Sequence, residues 1–182
     1  MIPIGYMAKN VARRPAWLNA PEVQDIYSAS NCVSSDFLDY IKFWRHNGYW
    51  LFDHPQIIRT LAQENDVDLN DLTFFYYEAY KDEFDEETKQ WQGFEPSDFL
   101  TNVILPTQKR LQGYDVVTFS NGTNPECSPL SCNHLASEIK TNTHCLLESF
   151  EEAKQSLESG QFDNSEPGPF RVFAVYTVDP NH

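Results

Sequence analysis

The chain has 182 residues and a mass of 21.1 kDa, with 27 Asp and Glu against 13 Lys and Arg, for a net charge of −14. With 41% hydrophobic and 14% aromatic residues it is too apolar for intrinsic disorder, and a chain this acidic lacks the cations that would neutralise nucleic-acid phosphates or anionic lipids. The length predicts a single globular domain over 1–182, with residues 1–30 as a packed N-terminal arm.

No run approaches the ~20 apolar residues of a membrane span. The start, Met1-Ile2-Pro3-Ile4, lacks the basic-then-apolar pattern of a secretory signal. Four cysteines are too sparse for a disulfide scaffold, so the expected setting is the cytoplasm, with reduced thiols. The charge is uneven. Residues 1–52 are nearly neutral at +1, 53–98 carry −10 and 99–182 carry −5. No internal repeat is visible.

Arg13-Arg14-Pro15 breaks any helix in the first 30 residues, and Val23–Ser28 alternates weakly like a strand. Ser34 or Ser35 is a cap for a helix over Asp36–His46, with Phe37, Leu38, Ile41 and Trp44 at helical spacing. Tyr49–Phe52 reads as a short buried strand. Asp53 then caps a helix that has Pro55 in its first turn, Ile57, Ile58, Leu61 and Ala62 as its apolar stripe and Asn65 at its end. Thr73–Tyr80 is dense in strand-favouring residues, and Gln90–Phe94 returns beside it as a hairpin around a charged turn at Asp82–Lys89. Phe99–Leu105 fits helix or strand equally.

Tyr114–Phe119 is a strand, Ser131–Ile139 a short helix and Thr143–Leu147 a possible strand. Ser149 with Glu152 is a capping box opening a helix through Leu157, and Phe170–Val178 is the clearest strand of all. Without a regular βαβ period, the expected class is α+β: a mixed or mostly antiparallel sheet packed by three to four helices.

No P-loop, dinucleotide-binding glycine pattern, His-Glu-x-x-His or Gly-x-Ser-x-Gly occurs. The acidic loop at Asp66–Asp71 lacks both the glycine and the bidentate Glu of a calcium loop. Chemistry concentrates instead in the stretch from Cys127 to Cys145, which holds Cys132, His134 and His144 as well. Read as a nucleophile or redox centre, Cys132 sits near a helix start, with His134 or His144 as its base. Read as a zinc site, the ligands are Cys127, Cys132, His144 and Cys145. The ordinary alternative is that free cysteines pack as small apolar side chains, and Cys32 is assigned to the core on that basis.

The second candidate is the acidic hairpin, where Asp82, Glu83, Asp85, Glu86 and Glu87 lie beside Trp91. Acidic groups flanked by aromatics suit a basic protein partner. With no catalytic motif, the favoured reading from sequence is a small acidic binding protein, such as an inhibitor or immunity-type neutraliser. The thiol enzyme and the zinc domain are its alternatives.

Overall fold

The computed structural model describes residues 1–41, 46–94, 102–119 and 125–179. In chain order these form β1 (Ile2–Asn10), β2 (Ser35–Asp36), a 3₁₀ turn (Phe37–Tyr40), α1 (Pro55–Glu64), β3 (Thr73–Ala79), β4 (Asp82–Asp85) and β5 (Gln90–Gly93). Then come β6 (Arg110–Thr118), α2 (Pro129–Cys132), a second 3₁₀ turn (Leu135–Ser137), α3 (Phe150–Glu158) and β7 (Phe170–Thr177).

All seven strands join one antiparallel sheet in the order β2-β1-β3-β7-β4-β5, with β6 paired along β7. In β6 and β7, successive side chains enter different apolar clusters. Val117, Phe173 and Val175 join one, and Val116, Phe170 and Val172 the other. Burial on both faces accounts for the apolar run Val172–Val175 within β7.

The expected sheet packed by three to four helices does not form. The sheet dominates, α2 is a single turn, and only α1 and α3 are long enough to cover much of it. Of the predicted helix at Asp36–His46, the described residues form only the Phe37–Tyr40 turn. Asp36 and Asp39 cap that turn reciprocally and Ile41 is already extended; residues 42–45, including Trp44, lie outside the described residues. The predicted helix at Ser131–Ile139 is broken because His134 adopts a left-handed φ of 64°. Of Phe99–Leu105, residues 99–101 lie outside the described residues, and 102–105 is neither helix nor strand. The strand expected at Tyr49–Phe52 is a turn, with a single bridge from Phe52 to Tyr6. The hairpin pairs β4 with β5, whereas β3 runs between β1 and β7. The cap of α1 is His54, whose Nδ1 accepts from the Gln56 amide at 3.0 Å; Asp53 instead accepts from Asn47 and Asn102.

The structure holds a repeat that the sequence conceals. Gly5 in β1 and Gly113 in β6 both have strongly positive φ, 134° and 146°, and both sit at a β-bulge. A Cβ on either would lie 2.7 Å from a neighbouring atom, of Leu51 in one case and Leu147 in the other, so glycine is required at both. Against each glycine packs an asparagine-centred turn. Asn47 Nδ2 donates to the Ile4 carbonyl at 2.8 Å, and its Oδ1 accepts from the amides of Tyr49 and Leu51. Asn142 Nδ2 donates to the Gln112 carbonyl at 2.7 Å, and its Oδ1 accepts from the amides of His144 and Leu146.

Trp50 and Cys145 occupy the left-handed position of the two turns, with φ of 59° and 61°. Phe52 and Leu147 then bridge to Tyr6 and Tyr114, and α1 and α3 follow. The helix starts pack on the same two tyrosines, the His54 ring tilted against Tyr6 with centroids 6.5 Å apart and Phe150 edge-on to Tyr114 at 6.4 Å. Tyr77 lies opposite Gly5, Val175 lies opposite Gly113, and Tyr77 and Val175 lie opposite each other. That register places a local two-fold axis normal to the sheet between β3 and β7.

Opposed residues share a face. Lys9, Phe75, Tyr77, Asp115, Phe173 and Val175 therefore lie on the face opposite to Tyr6, Tyr114 and the helix starts. The Lys9 and Asp115 face supports the thiol cluster.

Candidate metal centre

Two stretches far apart in sequence meet beside Lys9 and Asp115. The first, Ser28–Ser34, lies in the segment between β1 and β2. Its carbonyls at Ser28, Ala29 and Ser30 all accept from Lys9 Nζ, at 2.9, 3.1 and 2.6 Å. The Lys9 side chain is 1% exposed, and three carbonyl dipoles solvate its ammonium in place of water. Burial lowers its pKa to about 8, against the opposing charges of Asp36, Asp115, Cys32 and Cys132.

The second stretch is Glu126–Asn133. Cys127 is fixed to the end of β6, its amide donating to Thr118 Oγ1 at 3.1 Å and its carbonyl accepting from the Thr118 amide at 2.9 Å. Ser128 precedes α2, and Cys132 closes it.

Asp115 and Ser128 bolt the two stretches together. Asp115 Oδ2 accepts from the Ala29 amide at 2.7 Å and from Ser128 Oγ at 2.6 Å, while the Ser30 amide donates to Ser128 Oγ at 3.2 Å. Burial raises the Asp115 carboxyl to about 6, and its Oδ1 has no hydrogen-bond partner.

This scaffold brings Cys32, Cys127 and Cys132 together, with all three Sγ atoms within 4.8 Å of one another. Cys32 is exposed, Cys132 half-buried and Cys127 buried. Cys32 Sγ donates to the Glu126 carbonyl at 3.3 Å, and Cys127 Sγ to Asn133 Oδ1 at 3.6 Å. Ser30 Oγ lies 3.5 Å from Cys32 Sγ and 3.7 Å from Cys132 Sγ. The sulfurs open onto a cleft of about 340 Å³, further lined by Thr118, Glu126, Asn133 and Glu166. Hydrogen bonds from Cys127 and Cys132 hold the Cys32 thiol well below its ordinary pKa, while the Cys127 and Cys132 thiols are pushed up.

A tetrahedral zinc with Zn–S bonds of about 2.3 Å needs sulfurs roughly 3.8 Å apart, so only small side-chain shifts separate the cluster from that geometry. The three thiols can hold a metal ion, and no other His, Cys, Asp or Glu among the described residues joins them.

Of the residues singled out from sequence, the structure unites Cys127 and Cys132 but not the others. His144 Nδ1 pairs with Asp25 Oδ1 at 2.6 Å, and its ring stacks on Tyr27 with centroids 4.0 Å apart. Cys145 is buried in its left-handed turn, and burial raises its pKa. The His134 ring packs on Trp17 at 4.4 Å. Cys132 ends α2 instead of opening it, so its sulfur does not sit at the N-terminus of that helix. Cys32, assigned to the core from sequence, is the exposed member of the cluster. Its setting among Ser28, Ser30, Asn31, Ser34 and Ser35 is a polar run, and that was the available signal for a surface loop. Nothing in sequence marks Lys9, Asp115 and Ser128 as its supports.

Most acidic groups of the hairpin have partners within the chain. Glu83 pairs with Arg171 at 2.9 Å, Glu86 accepts from the Gly168 amide, and Asp85 accepts from the amides of Glu87 and Thr88. Asp82 lies 3.9 Å from Lys81. Trp91 donates to Glu158 and packs on Tyr80 and Phe84. No helix among the described residues is long and apolar enough to cross a membrane. Compared with protein-family models, curated proteins and solved structures, the chain matches none.

Proposed function

We propose that the protein binds a thiophilic metal ion, zinc being the best chemical match, on Cys32, Cys127 and Cys132. The convergence of three sulfurs from two distant stretches, on a loop that Lys9 and Asp115 hold in place, carries this reading. Thiolate donors favour zinc or copper(I) and disfavour magnesium and calcium, which prefer oxygen. Three thiolates would leave a zinc ion one further ligand to find, and the three cysteines line a cleft together with Glu126, Asn133 and Glu166. Zinc sites that keep an open position hold water or substrate there. A dication with three thiolates is net negative, and the buried Lys9 ammonium offsets that charge, since it interacts with Cys32 and Cys132.

The test is the metal content of protein purified under reducing conditions without chelator. One zinc per chain is expected, retained against a weak chromophoric chelator and lost in Cys32→Ser and Cys127→Ser. Metal-free protein that takes up no zinc, or equal retention by Cys32→Ser, contradicts the proposal.

A further inference from the structure

The three sulfurs are not equivalent, and the difference points to covalent chemistry. Cys32 is exposed, so a small oxidant in solvent reaches it first. Two other sulfurs lie within 4.8 Å of it, and a disulfide to either requires the pair to close to ~2.05 Å. Cys127 is poorly placed to move, because its amide and carbonyl are both tied to Thr118 and its S–H is directed at Asn133. Cys132 is the last residue of a one-turn helix, its amide donating to the Ser128 carbonyl at 2.9 Å, and its sulfur lies beside the hydroxyls of Ser30 and Ser131 and the other two thiols.

We infer that Cys32 is a hydroperoxide-reactive site and Cys132 its resolving partner, so that a Cys32–Cys132 disulfide and a bound metal exclude each other. The exclusion rests on the metal-binding proposal above, whereas the disulfide itself does not.

In the first step the Cys32 thiolate attacks one oxygen of a hydroperoxide. An S–O bond forms, the O–O bond breaks, and the sulfur loses two electrons. The other oxygen leaves as alkoxide or hydroxide and takes a proton from water, giving Cys32–SOH. In the second step the Cys132 sulfur attacks the Cys32 sulfur. The S–S bond forms and the S–O bond breaks, and the departing hydroxide combines with the Cys132 proton as water. Overall, two thiols and one hydroperoxide give one disulfide, one alcohol (or water) and one water. Two of the three ligands are thereby consumed, and Cys127 alone cannot hold the ion.

The experiment uses full-length reduced protein, both metal-free and zinc-loaded, treated with stoichiometric hydrogen peroxide, alkylated and mapped by mass spectrometry without reduction. The expected result for metal-free protein is a loss of two free thiols per chain, with Cys32 and Cys132 peptides linked, and with buried Cys145 alkylated only after unfolding. In Cys132→Ser, Cys32 should remain as a sulfenic acid trapped by dimedone. Zinc-loaded protein should oxidise more slowly and release its zinc as the disulfide forms. A Cys32–Cys127 link as the main product, or Cys32 oxidised beyond sulfenic acid without a disulfide, overturns the inference even if zinc binds. A Cys32–Cys132 disulfide in a protein that takes up no zinc supports the peroxide chemistry and removes the metal reading alone.

Discussion

Replacing Asn142 with alanine tests the hidden repeat at its hinge. The side chain makes three hydrogen bonds to the backbone, donating to the Gln112 carbonyl at 2.7 Å and accepting from the amides of His144 at 2.9 Å and Leu146 at 3.1 Å. At a net ~1 kcal/mol each, their loss costs about 3 kcal/mol. The twin substitution, Asn47→Ala, removes the bonds to Ile4, Tyr49 and Leu51 and one more to Asp53. It should cost the same or slightly more. Urea unfolding of reduced protein measures both, as a lower midpoint at an unchanged slope. If either variant stays within about 0.5 kcal/mol of the parent, where ordinary surface substitutions fall, the two turns are not the structural hinges argued for here.

Two further outcomes follow from the supports of the site and a third from the bulge at Gly113. Asp115 is raised in the folded state to about 6 from 3.8, so the fold holds its proton more tightly than the unfolded chain does; the stability this gives is present below about pH 4 and lost as pH rises through 6. The stability of the parent relative to Asp115→Asn should therefore fall across that window by up to roughly 3 kcal/mol, and urea titrations giving a flat difference refute it. Lys9→Met should destabilise by about 3 kcal/mol, because it leaves three carbonyls and Asp115 without their cation, and it should also weaken zinc retention; parental zinc affinity in a folded Lys9→Met protein argues against the clamp on the Cys32 loop. Gly113→Ala, with its Cβ forced to 2.7 Å from the Leu147 carbonyl oxygen at a φ of 146°, should cost at least about 2 kcal/mol by thermal unfolding, and a neutral result removes the steric argument for the bulge.

The parts of the fold that pattern strongly were legible. β7 holds the apolar run Val172–Val175, β3 is crowded with aromatic residues, and α1 and α3 place Ile58, Ala62, Ala153 and Leu157 at helical spacing. β1 was not legible, because Pro3, the Gly5 bulge and the buried Lys9 interrupt its alternation. The repeat was not legible because only a Gly-Tyr pair and one asparagine recur in its two halves. Its markers are two glycines and two asparagines, and the left-handed positions hold such unlike residues as Trp50 and Cys145. The site was half legible. Cys127 and Cys132 stand close in sequence, but Cys32 reaches them only through Lys9, Asp115 and Ser128, which is tertiary information. His144 and Cys145 looked like ligands by proximity in sequence, yet the Asn142 turn commits one to Asp25 and buries the other.

X-ray absorption at the zinc edge of the loaded, reduced protein tests the three-thiolate site most directly. Three sulfur scatterers at about 2.3 Å and one lighter neighbour are expected, with one sulfur fewer or no bound zinc in Cys32→Ser. A shell of nitrogen and oxygen alone, or an unchanged sulfur count in Cys32→Ser, contradicts it.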